Sequence, residues 1–114
     1  MDRKVVERSW IEICKRFLRT ADLMNCGIKL GFEVKGSYLF VLNEETGERE
    51  PLAMYDSSTQ AFSQLGLASE FVEILCDEVL NEVGRENFNF EEHSHLLELK
   101  AKYYINSIGL KNLF

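Results

Sequence analysis

Between residues 3 and 24, Val6, Trp10, Ile13, Cys14, Phe17, Ala21 and Met24 recur every three or four positions. That spacing puts them on one side of a helix. Ile11 and Leu18 widen the apolar side, Lys4, Arg8, Glu12, Lys15 and Arg19 fill the other, and Gly27 suits a left-handed helix stop. From residue 28 the period changes to two. Ile28, Leu30, Phe32 and Val34 alternate with Lys29, Gly31 and Glu33, as in a half-buried strand. KGS turns the chain into YLFVLN, and the acidic turn EETGE leads into REPLAMYD. Residues 28–56 therefore predict a three-stranded antiparallel meander. Pro51 lacks a donor for the ladder, which assigns the third strand to an edge or starts it near that proline.

The second strand is apolar on both sides: Tyr38, Phe40 and Leu42 point one way, Leu39 and Val41 the other, with Ala53 and Tyr55 from the third strand joining the latter pair. Helices on one face only would turn Leu39, Val41 and Tyr55 toward water as a contact surface. Four candidate helices favour cover by the chain itself.

SSTQAFSQL, at 57–65, opens with the capping-box pattern Ser57-x-x-Gln60 and stops at Gly66, which predicts a short helix. Over 68–84, Ala68, Phe71, Val72, Leu75, Cys76, Val79, Leu80 and Val83 sweep nearly half a helix circumference, with Glu70, Glu73 and Asp77 opposite. A last helix is predicted over 90–108, with Phe90, Leu97, Tyr104, Ile105 and Ile108 on its apolar side and the apolar tail LKNLF beyond Gly109. Together these elements describe one α+β domain: an N-terminal helix, the meander, and two or three C-terminal helices packed on the sheet.

Length and composition agree with that reading. The chain has 114 residues, 46% of them apolar and 28% charged, and a single proline, which is globular composition without a linker. Its apolar runs, such as YLFVL, fall far short of a membrane span. The charged start MDRKVVERSW does not read as a signal peptide. Cys14, Cys26 and Cys76 are odd in number and widely spaced, so they are expected to be reduced thiols of a cytoplasmic protein.

Charge distribution carries more than the net −6. From Glu44 to Glu98 there are 14 acidic residues against Arg49 and Arg85, whereas both ends of the chain are basic. An acidic middle opposes direct nucleic-acid and membrane contact and attracts basic proteins.

The most site-like cluster is NFEEHSH at 89–95, which holds both histidines. Asn89 with Glu92 matches a capping box, and His93 and His95 diverge by about 200° on a helix. Glu92 and His95 have the Glu-x-x-His spacing of di-iron bundles, but the chain has no second such motif. No metal or cofactor is expected, and no nucleophile motif or phosphate loop occurs. An enzyme using His95 with Glu91 or Glu98 is the least favoured alternative.

The leading expectation is a non-enzymatic protein-binding module. It would be an acidic inhibitor or immunity-type protein, such as a phage or bacterial antagonist, that docks on a basic protein, nucleic-acid-binding proteins included. Glu44, Glu45, Glu48, Glu50, Glu70, Glu73 and Asp77 would supply charge contacts, and Leu39, Val41 and Tyr55 an apolar centre if exposed. A homodimer or larger homo-oligomer, its charge serving solubility alone, is the rival expectation.

Overall fold

The computed structural model describes residues 1–17 and 30–108. Its elements in chain order are α1 (Arg3–Phe17), β1 (Leu30–Lys35), β2 (Tyr38–Asn43), β3 (Arg49–Asp56), β4 (Ala61–Gln64), α2 (Ser69–Val83), the single turn α3 (Phe90–His93) and α4 (His95–Ile108). The fold is α+β: an N-terminal helix, an antiparallel sheet and C-terminal helices packed against it. The expected continuation of the first helix to residue 24, Gly27, Cys26, the start of the first strand at 28–29, Gly109 and the LKNLF tail lie outside the described residues.

Asp2 starts α1, its carboxylate accepting from Lys4 N at 2.8 Å, a side-chain cap of the kind that satisfies orphan first-turn donors. Val5, Val6, Ser9, Trp10, Ile13 and Cys14 are buried along the helix. The sheet order is β1-β2-β3-β4. A two-residue turn, Gly36–Ser37, joins β1 to β2 and pairs Lys35 with Tyr38, so Val34 faces Leu39 and Phe32 faces Val41. Gly36 takes φ +62° there, a conformation glycine adopts without steric cost. In the next turn Asn43 Oδ1 accepts from Glu45 N at 3.0 Å and Thr46 N at 3.3 Å. Those bonds explain how a polar side chain is buried at a strand end.

The expected short helix at 57–65 is instead a turn followed by β4, so the sheet has four strands where three were expected. Asp56 Oδ1 accepts from both Ser58 N and Ser58 Oγ, at 2.9 and 2.6 Å, and this local turn competes with a helix start. Gln60 then adopts φ +55°, outside helical space. Beyond it Phe62 pairs with Tyr55, their rings 4.8 Å apart. Thus β3 is internal over Ala53–Asp56 but has an open side at Pro51, which β4 does not reach. The proline also sits beside a bulge: Leu39 pairs with Ala53 and Phe40 with Pro51, leaving Leu52 as the extra residue.

One core cluster joins α1, α2 and α4 to one face of the sheet. Trp10, Ile13, Phe71, Val72, Leu75, Leu97 and Ala101 meet Phe32, Leu39, Val41, Leu52 and Tyr55 in it. α2 realises its predicted amphipathic pattern almost residue for residue, from Ser69 to Gly84 at the cap.

Candidate functional site

The residues expected to form an apolar centre are core residues. Leu39 is 1% exposed, Val41 0% and Tyr55 7%, so none is available to a partner. The two-residue turn aligns the apolar residues of β1 with Leu39 and Val41, and the helices bury that combined face. The opposite face keeps Tyr38, 38% exposed, with Phe40, Leu42, Pro51 and Met54 half-buried. None of these belongs to the core cluster or packs against it. Tyr38 and Phe40 hold their rings 5.7 Å apart, and an ion pair between Arg49 and Glu33 at 3.1 Å lies along the same face. Sequence reading missed this surface, although the two-residue turn at Gly36–Ser37 carried the signal.

Leu42 leads from that face straight into the acidic β2–β3 turn, where Glu44, Glu45 and Glu48 are exposed. Glu50 is drawn off by Arg16 at 2.6 Å, and Glu70 by Arg8 at 3.3 Å. The basic side of α1 and the acidic middle of the chain therefore neutralise each other at two points. Glu73 and Asp77 stay exposed on α2, without an ion pair among the described residues. The seven acids thus fall into two groups, one beside the open sheet face and one on α2.

NFEEHSH opens the C-terminal helices as its pattern implies, with one change of actor. Asn89 Oδ1 accepts from Glu91 N at 2.9 Å and Glu92 N at 3.3 Å. The reciprocal bond comes from His93, whose Nδ1 accepts from Asn89 N at 2.9 Å. His93 is also tilted against Phe88, 5.7 Å between centroids. His95 and Glu91 are exposed. The Glu98 carboxylate accepts from Val34 N of the edge strand β1 at 2.5 Å, which occupies the residue that was the alternative partner for His95. Among the described residues no group of three His, Cys, Asp or Glu side chains is arranged to hold a metal ion.

The cysteines depart from expectation. Cys14 is disulfide-bonded, so the reading of three reduced thiols is corrected there. Cys76 is free and buried. Burial, reinforced by the neighbouring Asp77 carboxylate, pushes its thiol up to about 12, which makes it a packing residue rather than a nucleophile. Tyr104 is also pushed up to about 12, chiefly by the hydrogen bond it donates to Glu78 at 2.5 Å. The Asp56 carboxyl lies below its ordinary value because Ser58 donates to it twice.

Two concavities border the sheet among the described residues, besides one of about 280 Å³ between α1 and the start of α2. The larger, about 650 Å³, sits where the β1–β2 and β3–β4 turns meet the start of α3, with Tyr55, Phe88 and Phe90 among its walls. Tyr55 stacks on Phe90 at 5.4 Å. The smaller, about 190 Å³, lies between α4 and β1 and is bordered by Trp10, Glu44 and Lys102. The Trp10 indole N–H is buried without a hydrogen-bond partner, a condition that costs about 1–3 kcal/mol. No helix among the described residues is long and apolar enough to cross a membrane. The chain matches no protein-family model, no curated protein and no solved structure.

Proposed function

We propose that this chain is a protein-binding module that docks a basic partner through the open face of its sheet. One observation carries the reading: the described helices cover a single face, and the other joins exposed Tyr38 and half-buried Phe40, Leu42 and Met54 to the exposed carboxylates of Glu44, Glu45 and Glu48. An apolar centre with a charged rim is the usual anatomy of a protein interface, and carboxylates at that rim select positively charged partners and speed their approach. The partner class is a basic protein, including nucleic-acid-binding enzymes whose own cationic groove the acidic turn would occupy. The chain would then act as an inhibitor or immunity-type protein. A binding role rather than an enzymatic one is supported by the commitment of Glu98 to β1 and by the suppressed reactivity of Cys76.

The test is capture from source-cell lysate with wild-type chain, a Glu44/Glu45/Glu48→Lys triple variant and a Tyr38/Phe40→Ser double variant. A basic partner retained by wild type, released by salt and lost by both variants is expected. A partner that ignores both sets of changes, or no basic partner at all, overturns the proposal.

Self-association is the second reading. It is favoured by Leu99 and Tyr103, which lie one turn apart on α4 and are 58% and 68% exposed. Light scattering on wild type and Leu99/Tyr103→Ser decides it, since a dimer built on this pair dissociates in the variant.

The cytoplasm is the compartment proposed, with the free Cys76 thiol in its favour and the Cys14 disulfide against it. Trapping thiols in intact cells and counting the blocked ones distinguishes the two: a Cys14 found oxidised there rules the cytoplasm out.

A further inference from the structure

We propose that the cleft where the β1–β2 and β3–β4 turns meet α3 binds a neutral pyranose sugar. The cleft lies before the start of β2, whereas the acidic turn on which partner docking rests follows its end. The two sites are therefore separate.

The starting point is Tyr55. Its ring is held by three others: Phe90 stacked at 5.4 Å and 9°, Phe88 edge-on at 5.2 Å and Phe62 tilted at 4.8 Å. The residue is 7% exposed, and its hydroxyl finds no hydrogen-bond partner among the described residues. Unlike the Trp10 N–H, however, that hydroxyl is not sealed from solvent. Of the concavities described, Tyr55 borders this one alone. A phenol fixed by packing and served only from the cleft is a preorganised donor and acceptor for a ligand there.

The chemistry of the lining sets the ligand class. Glu91 is its one charged residue, and no basic side chain borders it. A phosphate, carboxylate or nucleotide would enter without a counter-charge and against Glu91. A cation is no better served. Cation–π binding needs ring faces open around the ion, but Tyr55 and Phe90 cover each other's inner faces and Phe88 is 6% exposed. Glu91 is itself exposed, and one solvated carboxylate holds an ion weakly.

A neutral ligand with one apolar side and a polar edge fits what remains. Half-buried Phe90 borders the cleft with ring surface that Tyr55 does not take. Ser37, Ser57 and Gln60 stand on the exposed rim, and their hydroxyls and amide both donate and accept, as the Tyr55 hydroxyl does. A pyranose matches that division. Its C–H face carries partial positive charge and rests on the negative face of an aromatic ring. Its hydroxyls, like those of the rim, both donate and accept. The volume of about 650 Å³ equals that of roughly twenty water molecules in the liquid, room for a monosaccharide or a disaccharide.

The experiment titrates isotope-labelled full chain with the methyl glycosides of glucose, galactose, mannose and N-acetylglucosamine, following the backbone amide resonances. Tetramethylammonium and inorganic phosphate are the cationic and anionic probes. A saturable shift of the Ser37, Gln60 and Phe90 amides with at least one glycoside is expected, and none with either ion. Tyr55→Phe keeps the ring and removes only the hydroxyl, so it should weaken that glycoside roughly two- to tenfold, the effect of one hydrogen bond. Ser57→Ala, on the exposed rim, leaves the core untouched and should weaken it in the same direction. Glu44/Glu45/Glu48→Lys, beyond the far end of β2, should leave the affinity unchanged. No saturable shift with any glycoside, saturation by either ion in their place, or affinity indifferent to both Tyr55→Phe and Ser57→Ala overturns the proposal.

Discussion

Leu39 and Val41 on one side of β2 are sealed beneath the helices, whereas Tyr38, Phe40 and Leu42 on the other side remain outside the core, although the two sets are similarly apolar. Side-chain hydrophobicity alone therefore does not choose the buried face. The choice lies in the neighbours that register assigns. Val34 and Phe32 stand opposite Leu39 and Val41, while Lys35 and Glu33 stand opposite Tyr38 and Phe40. Ala53 and Tyr55 of β3 enlarge the first face, and Arg49 and Glu33 place an ion pair on the second. Burying the second face would require desolvating those charges. For this reason the described fold leaves an apolar half-strand outside its core.

The sharpest test of this contrast removes the same atoms from each side. Leu39→Ala should cost about 2–5 kcal/mol, as for other fully buried leucines. Leu42→Ala, on the open face, should cost about 1 kcal/mol or less. Urea midpoints measured on both variants check the difference, and equal losses would mean that the second face is covered in solution.

A smaller effect probes how dry the helix-covered side is. The Cys76 thiol titrates from an ordinary value of 9.0 but is held at about 12 in the fold. Between those values the unfolded chain has lost a proton that the folded chain retains, so stability falls as pH rises. The ceiling of this contribution is about 1.4 kcal/mol per pH unit. Cys76→Ala should flatten the decline, although Tyr104, likewise held at about 12, keeps part of it. Native alkylation at pH below the ordinary thiol value should leave Cys76 unlabelled, and rapid labelling would contradict its burial.

On the open face, by contrast, charge contributes little to stability. Arg49→Ala removes the cross-strand pair with Glu33, whose side chains are 40% and 29% exposed, and solvent screening holds the cost to about 0.5 kcal/mol. The urea midpoint should hardly move. A loss comparable to that of Leu39→Ala would show the pair to be buried by a further element.

Much of this fold could be read from residue order because its signals are local. α2 buries six apolar residues along one side, β1 alternates apolar side chains with glycine and charge in sequence, and Asn89 caps the C-terminal helices as its spacing with Glu92 suggests. The bond that completes that cap comes from His93, which a fixed capping template does not anticipate. β4 escaped for a related reason. Ser57-x-x-Gln60 fits a helix start, and only the Asp56–Ser58 turn and the pairing of Phe62 with Tyr55 settle it as a strand. The candidate site was less legible. Arg8–Glu70 and Arg16–Glu50 join residues more than 30 positions apart, a pairing that no local pattern announces. The open face was within reach, however, because a two-residue turn at Gly36–Ser37 fixes which residues share a side.

The smallest predicted effect compares the two turns that set the sheet. Gly36 and Gln60 occupy nearly the same left-handed region, at φ +62° and +55°, but only the first is a glycine. A side chain in that region costs about 1–2 kcal/mol, and glycine returns about 0.5–1 kcal/mol of this in backbone entropy. Gln60→Gly should therefore raise stability by a few tenths of a kcal/mol, read as a slightly higher urea midpoint with unchanged slope. A loss instead would mean that the Gln60 side chain contributes to the fold from its place on the wall of the larger cleft. In that case the strained turn that closes β4 against the buried face is held by its side chain, whereas the turn that leaves Tyr38 outside is held by its backbone alone.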